Sequence, residues 1–185
     1  LAEFTRLALR CVNRLDEALP YCYPTPYMSL LMEGCLEKGL DVTAGGTIYN
    51  HSGANACGMA NVADSLAAIE KLVFQDKKLT LMEFAEVLRQ NYQNTEWLYR
   101  EVTGNCPKYG NDGSSPDSYL AELVEMIAKV LDEFTTPRGG RFRLGLYTVE
   151  DHAKMGVRTG ALPDGKLKGA SLSNGLSPVQ GKDVN

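Results

Sequence analysis

The stretch Arg138-Gly139-Gly140-Arg141-Phe142-Arg143-Leu144-Gly145-Leu146-Tyr147 decides the fold class, because the residue pattern changes there. Upstream, apolar residues recur at helical steps. From Arg141 to Val149 the chain is rich in aromatic and β-branched residues and reads as one strand. Side chains alternate across a strand, so Arg141, Arg143 and Tyr147 are expected on one face. An arginine beside a tyrosine suits the lining of a polar pocket. Roughly five helices and one strong strand do not close a small α/β fold, and a lone strand leaves both edges unpaired. Its neighbours are expected elsewhere, which makes the chain an expected slice of a larger α/β protein, helical over 1–135 and strand and loops over 136–185.

Working outward, Phe4, Leu7, Ala8, Cys11, Val12 and Leu15 form the stripe of a buried helix face, ended by Leu19-Pro20. A second helix is expected from about Pro26 to Lys38, with Gly39 as its stop. Asp41 to Gly58, broken by Gly45, Gly46, Gly53 and Gly58, reads as a long ordered loop or a broken strand. Asn61 is placed to cap a helix reaching Phe74, and Thr80-Leu81-Met82-Glu83 has the spacing of a capping box before a run to about Tyr92. Thr95 is placed to cap a short helix ending near Gly104. Ser115-Pro116-Asp117 starts another, whose inner face is Leu120, Leu123, Val124, Ile127, Leu131 and Phe134. Beyond Val149, Gly, Pro, Ser and Asn dominate, with a turn at Pro163-Asp164-Gly165.

Composition narrows the function classes. Among 185 residues, 44% are hydrophobic and 23% charged, the range of ordinary globular proteins, and the net charge of −4 provides no basic footprint for nucleic acid. No apolar run reaches the ~18 residues that would span a bilayer, so no membrane partner is expected. The opening Leu1-Ala2-Glu3-Phe4-Thr5-Arg6 is charged and unlike a signal peptide, and both ends read as cut from something longer. Five isolated cysteines without a C-x-x-C pair suggest reduced thiols in a cytoplasmic protein, and two distant histidines offer no metal set.

Three features are candidate sites. Gly45-Gly46-Thr47-Ile48-Tyr49-Asn50-His51-Ser52-Gly53 is glycine-rich but matches neither phosphate-loop spacing, so a tight structural turn is the better reading. Cys35 with Glu37 nearby could be a reactive thiol, or a small buried hydrophobe beside Leu30 and Leu31. His152, after Glu150 and Asp151, could serve as an acid or base, or simply cap or face solvent.

Several phrases together carry a resemblance. Arg138–Tyr147 is followed by Gly160-Ala161-Leu162-Pro163-Asp164-Gly165-Lys166 and by Leu172-Ser173-Asn174-Gly175-Leu176-Ser177-Pro178-Val179-Gln180-Gly181. Upstream stand Glu33-Gly34-Cys35-Leu36-Glu37-Lys38-Gly39-Leu40-Asp41-Val42-Thr43, then Ala60–Ile69 with Lys71-Leu72-Val73-Phe74, then Lys108-Tyr109-Gly110-Asn111-Asp112. In this order they resemble the glycyl radical enzymes, the pyruvate formate-lyase and diol dehydratase superfamily. The resemblance implies part of a ten-stranded α/β barrel, in a homodimeric full-length enzyme acting on a small organic substrate. It implies a glycyl radical installed by a radical-SAM activating enzyme, a thiyl radical that attacks the substrate, and no bound cofactor in this slice. Tyr147 and Arg143 become the candidate substrate-binding residues. The thiyl cysteine motif is expected before Leu1 and the radical-glycine motif R-V-x-G-(F/Y/W) after Asn185, so neither radical role passes to a residue here, Cys35 included. Gly113 stands where the family often has an acidic residue, and Lys166 where it often has arginine. The competing expectation is an inactive truncated product or structural fragment.

Overall fold

The computed structural model describes residues 1–111 and 115–183. Its helices are α1 (Ala2–Cys22), α2 (Pro26–Leu31), α3 (Cys35–Lys38), α4 (Met59–Ile69), α5 (Leu81–Arg89), α6 (Glu96–Gly104), α7 (Ser115–Asp132) and α8 (Asp151–Arg158). Two strands, β1 (Ser52–Asn55) and β2 (Phe142–Gly145), pair in a two-stranded sheet. The chain divides into two compact units, Leu1–Ala54 with Val124–Gly145, and Asn55–Leu123 with the chain from Leu146 onward.

In the first unit, Pro20 does not end α1 but lies inside its last turn, where only one backbone hydrogen bond is lost before the helix stops at Cys22. The expected second helix is broken into α2 and α3. The break is at Gly34, whose φ of 95° a side chain would resist, and a Cβ there would meet the Gly46 carbonyl oxygen at 2.8 Å. Asp41 ties these pieces together: its carboxylate accepts from the Thr25 N–H at 3.0 Å, Ser29 Oγ at 2.7 Å and Thr43 Oγ1 at 2.6 Å. Those donors, led by Thr43 and Ser29, hold its carboxyl well below the usual range.

The strand is shorter than expected, and it is not alone. Only Phe142–Gly145 of Arg141–Val149 is strand, and β1, from the glycine-rich segment, fills one of its edges. The Gly139-Gly140 turn sets up this pairing. The Thr136 N–H donates to the Gly140 carbonyl and the Gly140 N–H to Thr136 Oγ1, the Ser52 N–H donates to the Arg141 carbonyl, and a Cβ on Gly140 would collide with the carbonyl of Asn50.

The stripe read as the buried face of α1 is open. Phe4 is 77% exposed and Leu15 68%, and Leu9 and Asp16 are the buried residues of that helix. Periodicity correctly marks an apolar face, but nothing among the described residues covers it. Tyr27, Leu30 and Leu31 of α2 are exposed as well.

The second unit has a closed core. Ala68, Leu72, Phe84, Tyr92, Leu98, Val102 and Cys106 pack together, and Tyr92 meets Tyr99 edge-on with ring centroids 5.4 Å apart. The Thr80–Glu83 capping box forms as its spacing predicts. α4 is followed by a π-helical turn, Glu70–Gln75, so helical structure reaches Phe74 as expected. α8 lies where the sequence suggests only strand and loops. Its Met155 and Val157 are exposed, so no apolar stripe announces it. Asp151 in its first turn, Arg158 in its last and a Glu150–Lys154 ion pair support it instead.

Candidate functional site

The second unit holds a buried polar network assembled from α4 and the loops after α6 and α8. Gly58, not Asn61, caps α4, and Asn61 turns inward from the first turn at 1% exposure. Its amide donates to Asp164 Oδ2 at 2.5 Å, and its carbonyl accepts the Ser173 N–H at 2.7 Å. Asp164 completes the Pro163-Asp164-Gly165 turn with its carboxylate facing in, accepting the Lys166 N–H at 2.9 Å. Its carbonyl accepts Lys108 Nζ at 2.8 Å. One helical turn beyond Asn61, Asp64 accepts the Tyr109 N–H at 2.6 Å through Oδ1, while Oδ2 has no donor among the described residues. Burial pushes Asp64 up to about 6, with the Tyr109 N–H and the Lys108 charge opposing it in part. The same burial lowers Lys108, and Asp64 and Asp164 partly restore it. Asn61, Asp64, Asp164, Thr103, Lys166 and Lys182 border a cavity of about 230 Å³.

Lys166 serves a different end. Its ammonium lies 3.1–3.5 Å from the carbonyls of Gly156, Thr159, Gly160 and Leu167, so it adds a charged donor to carbonyls around the end of α8, three of which also accept a backbone N–H. A larger cavity of about 710 Å³ opens beside it in sequence, lined by His152, Ser171 to Asn174, Ser177 to Gly181 and Asp183. Thr148 Oγ1 sits 3.2 Å from His152 Nδ1 and 2.7 Å from Asn174 Oδ1, and Ser173 Oγ has no partner among the described residues.

The two candidate substrate-binding residues do not share one strand. Arg143 is exposed on β2, whereas Tyr147 lies past the end of β2 and is 60% exposed. Alternation therefore relates Arg141, Phe142 and Arg143 but does not reach Tyr147. Cys35 is 3% exposed, as expected of a small hydrophobe, and Glu37 faces outward. Burial, then the charge of Asp151, pushes the Cys57 thiol up, away from a reactive thiolate. All five cysteines are free thiols. The glycine-rich segment is a structural turn: Thr47 Oγ1 donates to Asn50 Oδ1 at 2.6 Å, and Asn50 Nδ2 donates to the Thr47 carbonyl at 3.0 Å. Asp112 and Gly113 of the Lys108 loop lie outside the described residues. No helix is long and apolar enough to cross a membrane, and no cluster of three or more metal-ligating side chains forms, among the described residues. The sequence marks Asn61 as a helix cap, Asp164 as a turn residue and Asp64 and Lys108 as members of family phrases, but nothing in their spacing tells a buried polar residue from an exposed one.

Residues 1–156 match the Pyruvate formate lyase-like family. The chain is 36% identical over 169 residues to (2S)-3-sulfopropanediol dehydratase of Klebsiella oxytoca, covering 91% of this chain and 20% of that protein. It is 33% identical over 162 residues to trans-4-hydroxy-L-proline dehydratase of Clostridioides difficile, covering 88% and 20%. Its fold superposes on the glycerol-bound form of the B12-independent glycerol dehydratase from Clostridium butyricum with a TM-score of 0.90 at 35% identity, covering 99% of this chain and 23% of that one. For a glycyl radical enzyme from Archaeoglobus fulgidus the TM-score is 0.89 at 36% identity, covering 98% and 23%. The chain thus spans about a fifth of the length of the relatives it matches.

Proposed function

Since the chain belongs to the pyruvate formate lyase-like family of glycyl radical enzymes, we propose that it forms one wall of a radical lyase or dehydratase acting on a small organic substrate. The superposition at TM-score 0.90 over 99% of the chain carries this reading. The open apolar faces of α1 and α2 support it, because Phe4, Leu15, Tyr27 and Leu31 are placed as residues that another part of a barrel would cover. On this reading 1–185 is one piece of a barrel domain. The thiyl cysteine and the radical glycine come from polypeptide outside this sequence, and a radical-SAM enzyme activates the whole as a cytoplasmic homodimer. The dehydratases among the relatives favour elimination from a hydroxylated substrate over acyl transfer.

We assign Arg143 and Tyr147 to substrate binding, each because it is an exposed polar group on or just after β2 within the most family-like phrase. In the parent enzyme, Tyr147→Phe is expected to raise KM or lower kcat. Unchanged values for both remove Tyr147 from the site. The function itself is tested by extending the reading frame in the source DNA and expressing the extended protein with its activating enzyme under anaerobic conditions. The expected result is a glycyl radical signal in electron paramagnetic resonance. Stop codons flanking the present sequence would instead support the inactive product.

A further inference from the structure

Thr148, Asn174 and Gly175 fix how the imidazole of His152 carries its proton. The Gly175 backbone N–H, which can only donate, meets Thr148 Oγ1 at 3.1 Å. The Thr148 hydroxyl donates its single hydrogen to Asn174 Oδ1 at 2.7 Å. What remains at Oγ1 is a lone pair, and His152 Nδ1 lies 3.2 Å from it. A neutral imidazole satisfies that contact only as a donor, so Nδ1 carries the hydrogen and Nε2 keeps the lone pair. The Leu172 N–H bond to the His152 carbonyl, at 3.0 Å, holds the backbone in place.

The other histidine is set the opposite way. The Arg141 backbone N–H donates to His51 Nδ1 at 3.2 Å, which makes Nδ1 the acceptor and leaves the hydrogen on Nε2. The two histidines of the chain are therefore opposite tautomers.

His152 lines the cavity of about 710 Å³, and with Nδ1 engaged, Nε2 is the polar atom it can offer there. Ser173 is also in the lining, but it is 3% exposed and its Oγ is buried away from the cavity. The remaining polar lining is Ser171, Asn174, Ser177, Gln180 and Asp183, with no lysine or arginine to neutralise an anion. A bare ring nitrogen with no cation beside it in the lining is best met by a donor such as a hydroxyl.

We propose that this cavity binds a small neutral molecule through a hydroxyl that donates to His152 Nε2, with Thr148 as the residue that positions the ring. The inference stands apart from the radical reading, because its readout needs no turnover.

The test is nitrogen-15 NMR on histidine-labelled full chain at about pH 8.5, some two units above the ordinary imidazole pKa of about 6.5. Long-range nitrogen–proton correlations separate protonated from bare ring nitrogens, and His51→Gln and His152→Gln assign the two rings. His152 is expected as the Nδ1–H form and His51 as the Nε2–H form. Thr148→Ser should keep the His152 pattern, and Thr148→Val should move it toward the mixture of a free imidazole. Propan-2-ol, as the neutral hydroxyl probe, should shift the His152 Nε2 signal saturably and leave His51 unmoved, while acetate should leave both in place. Finding His152 as Nε2–H, or an Nε2 signal that propan-2-ol does not move, overturns the proposal.

Discussion

At Asp64 one carboxylate oxygen accepts the Tyr109 N–H, the other has no donor among the described residues, and the side chain is 1% exposed. Desolvation raises its pKa from 3.8 to about 6, so the folded state binds this proton more tightly than the unfolded chain does. The linkage therefore runs opposite to that of a salt-bridged aspartate. The stabilising contribution is full below about pH 3.8 and is lost as pH rises through about 6. At neutral pH the difference amounts to at most about 3 kcal/mol. Asp64→Asn removes it: urea midpoints of the variant should fall less than those of the parent chain between pH 4 and pH 7, and equal falls would contradict the assignment. Lys166 offers a second residue-level expectation. Lys166→Met takes the ammonium from four carbonyls around the end of α8, of which Gly156, Thr159 and Leu167 keep a backbone donor, so the variant should lose about 1 kcal/mol. Faster amide exchange in Asp151–Arg158 than elsewhere would place that loss at α8.

Among the elements, α5 and the β1–β2 pair make contrasting cases. The α5 cap is local, since Thr80 and Glu83 satisfy each other's backbone N–H groups within one turn. Thr80→Ala should cost about 1 kcal/mol, read from the denaturation midpoint, without altering the fold. The sheet depends on the Gly139-Gly140 turn fitting against Asn50 and His51, a contact across almost ninety positions of sequence. Gly140→Ala drives a Cβ into the Asn50 carbonyl, so the strand pair must separate. Loss of amide protection at Ser52 and Arg141, with α5 unaffected, is the expected signature. The same contrast explains what could be read in advance. The capping box and the α7 face were legible because their partners lie three or four residues away. The break at Gly34 and the pairing of β1 with β2 were not, because Gly46 and Arg141 impose them from afar.

For the molecule as a whole, the imbalance of burial matters most. The second unit buries a core of aromatic and aliphatic residues, while α1 and α2 of the first present Phe4, Leu7, Leu15, Tyr27, Leu30 and Leu31 to solvent. A chain expressed by itself should therefore bind hydrophobic dyes and self-associate. Replacing Phe4, Leu15 and Leu31 with lysine or glutamate should reduce both while shifting stability by no more than about 0.5 kcal/mol per site, since these side chains are already exposed. A marked loss of stability on substitution would mean that the faces are covered within the chain.

The sequence by itself determined the family, the helical character of most of the chain before Pro137, the capping box and the strand character of Phe142–Gly145, because each rests on neighbours in sequence or on several phrases kept in order. Only the tertiary structure decided that Asn61, Asp64, Lys108 and Asp164 face inward, that Tyr147 lies beyond the strand holding Arg143, and that His152 is held by Thr148. The physical reason is the same in each case. Burial, hydrogen-bond partners and tautomer are properties of what surrounds a side chain, and those surroundings come from residues tens of positions away.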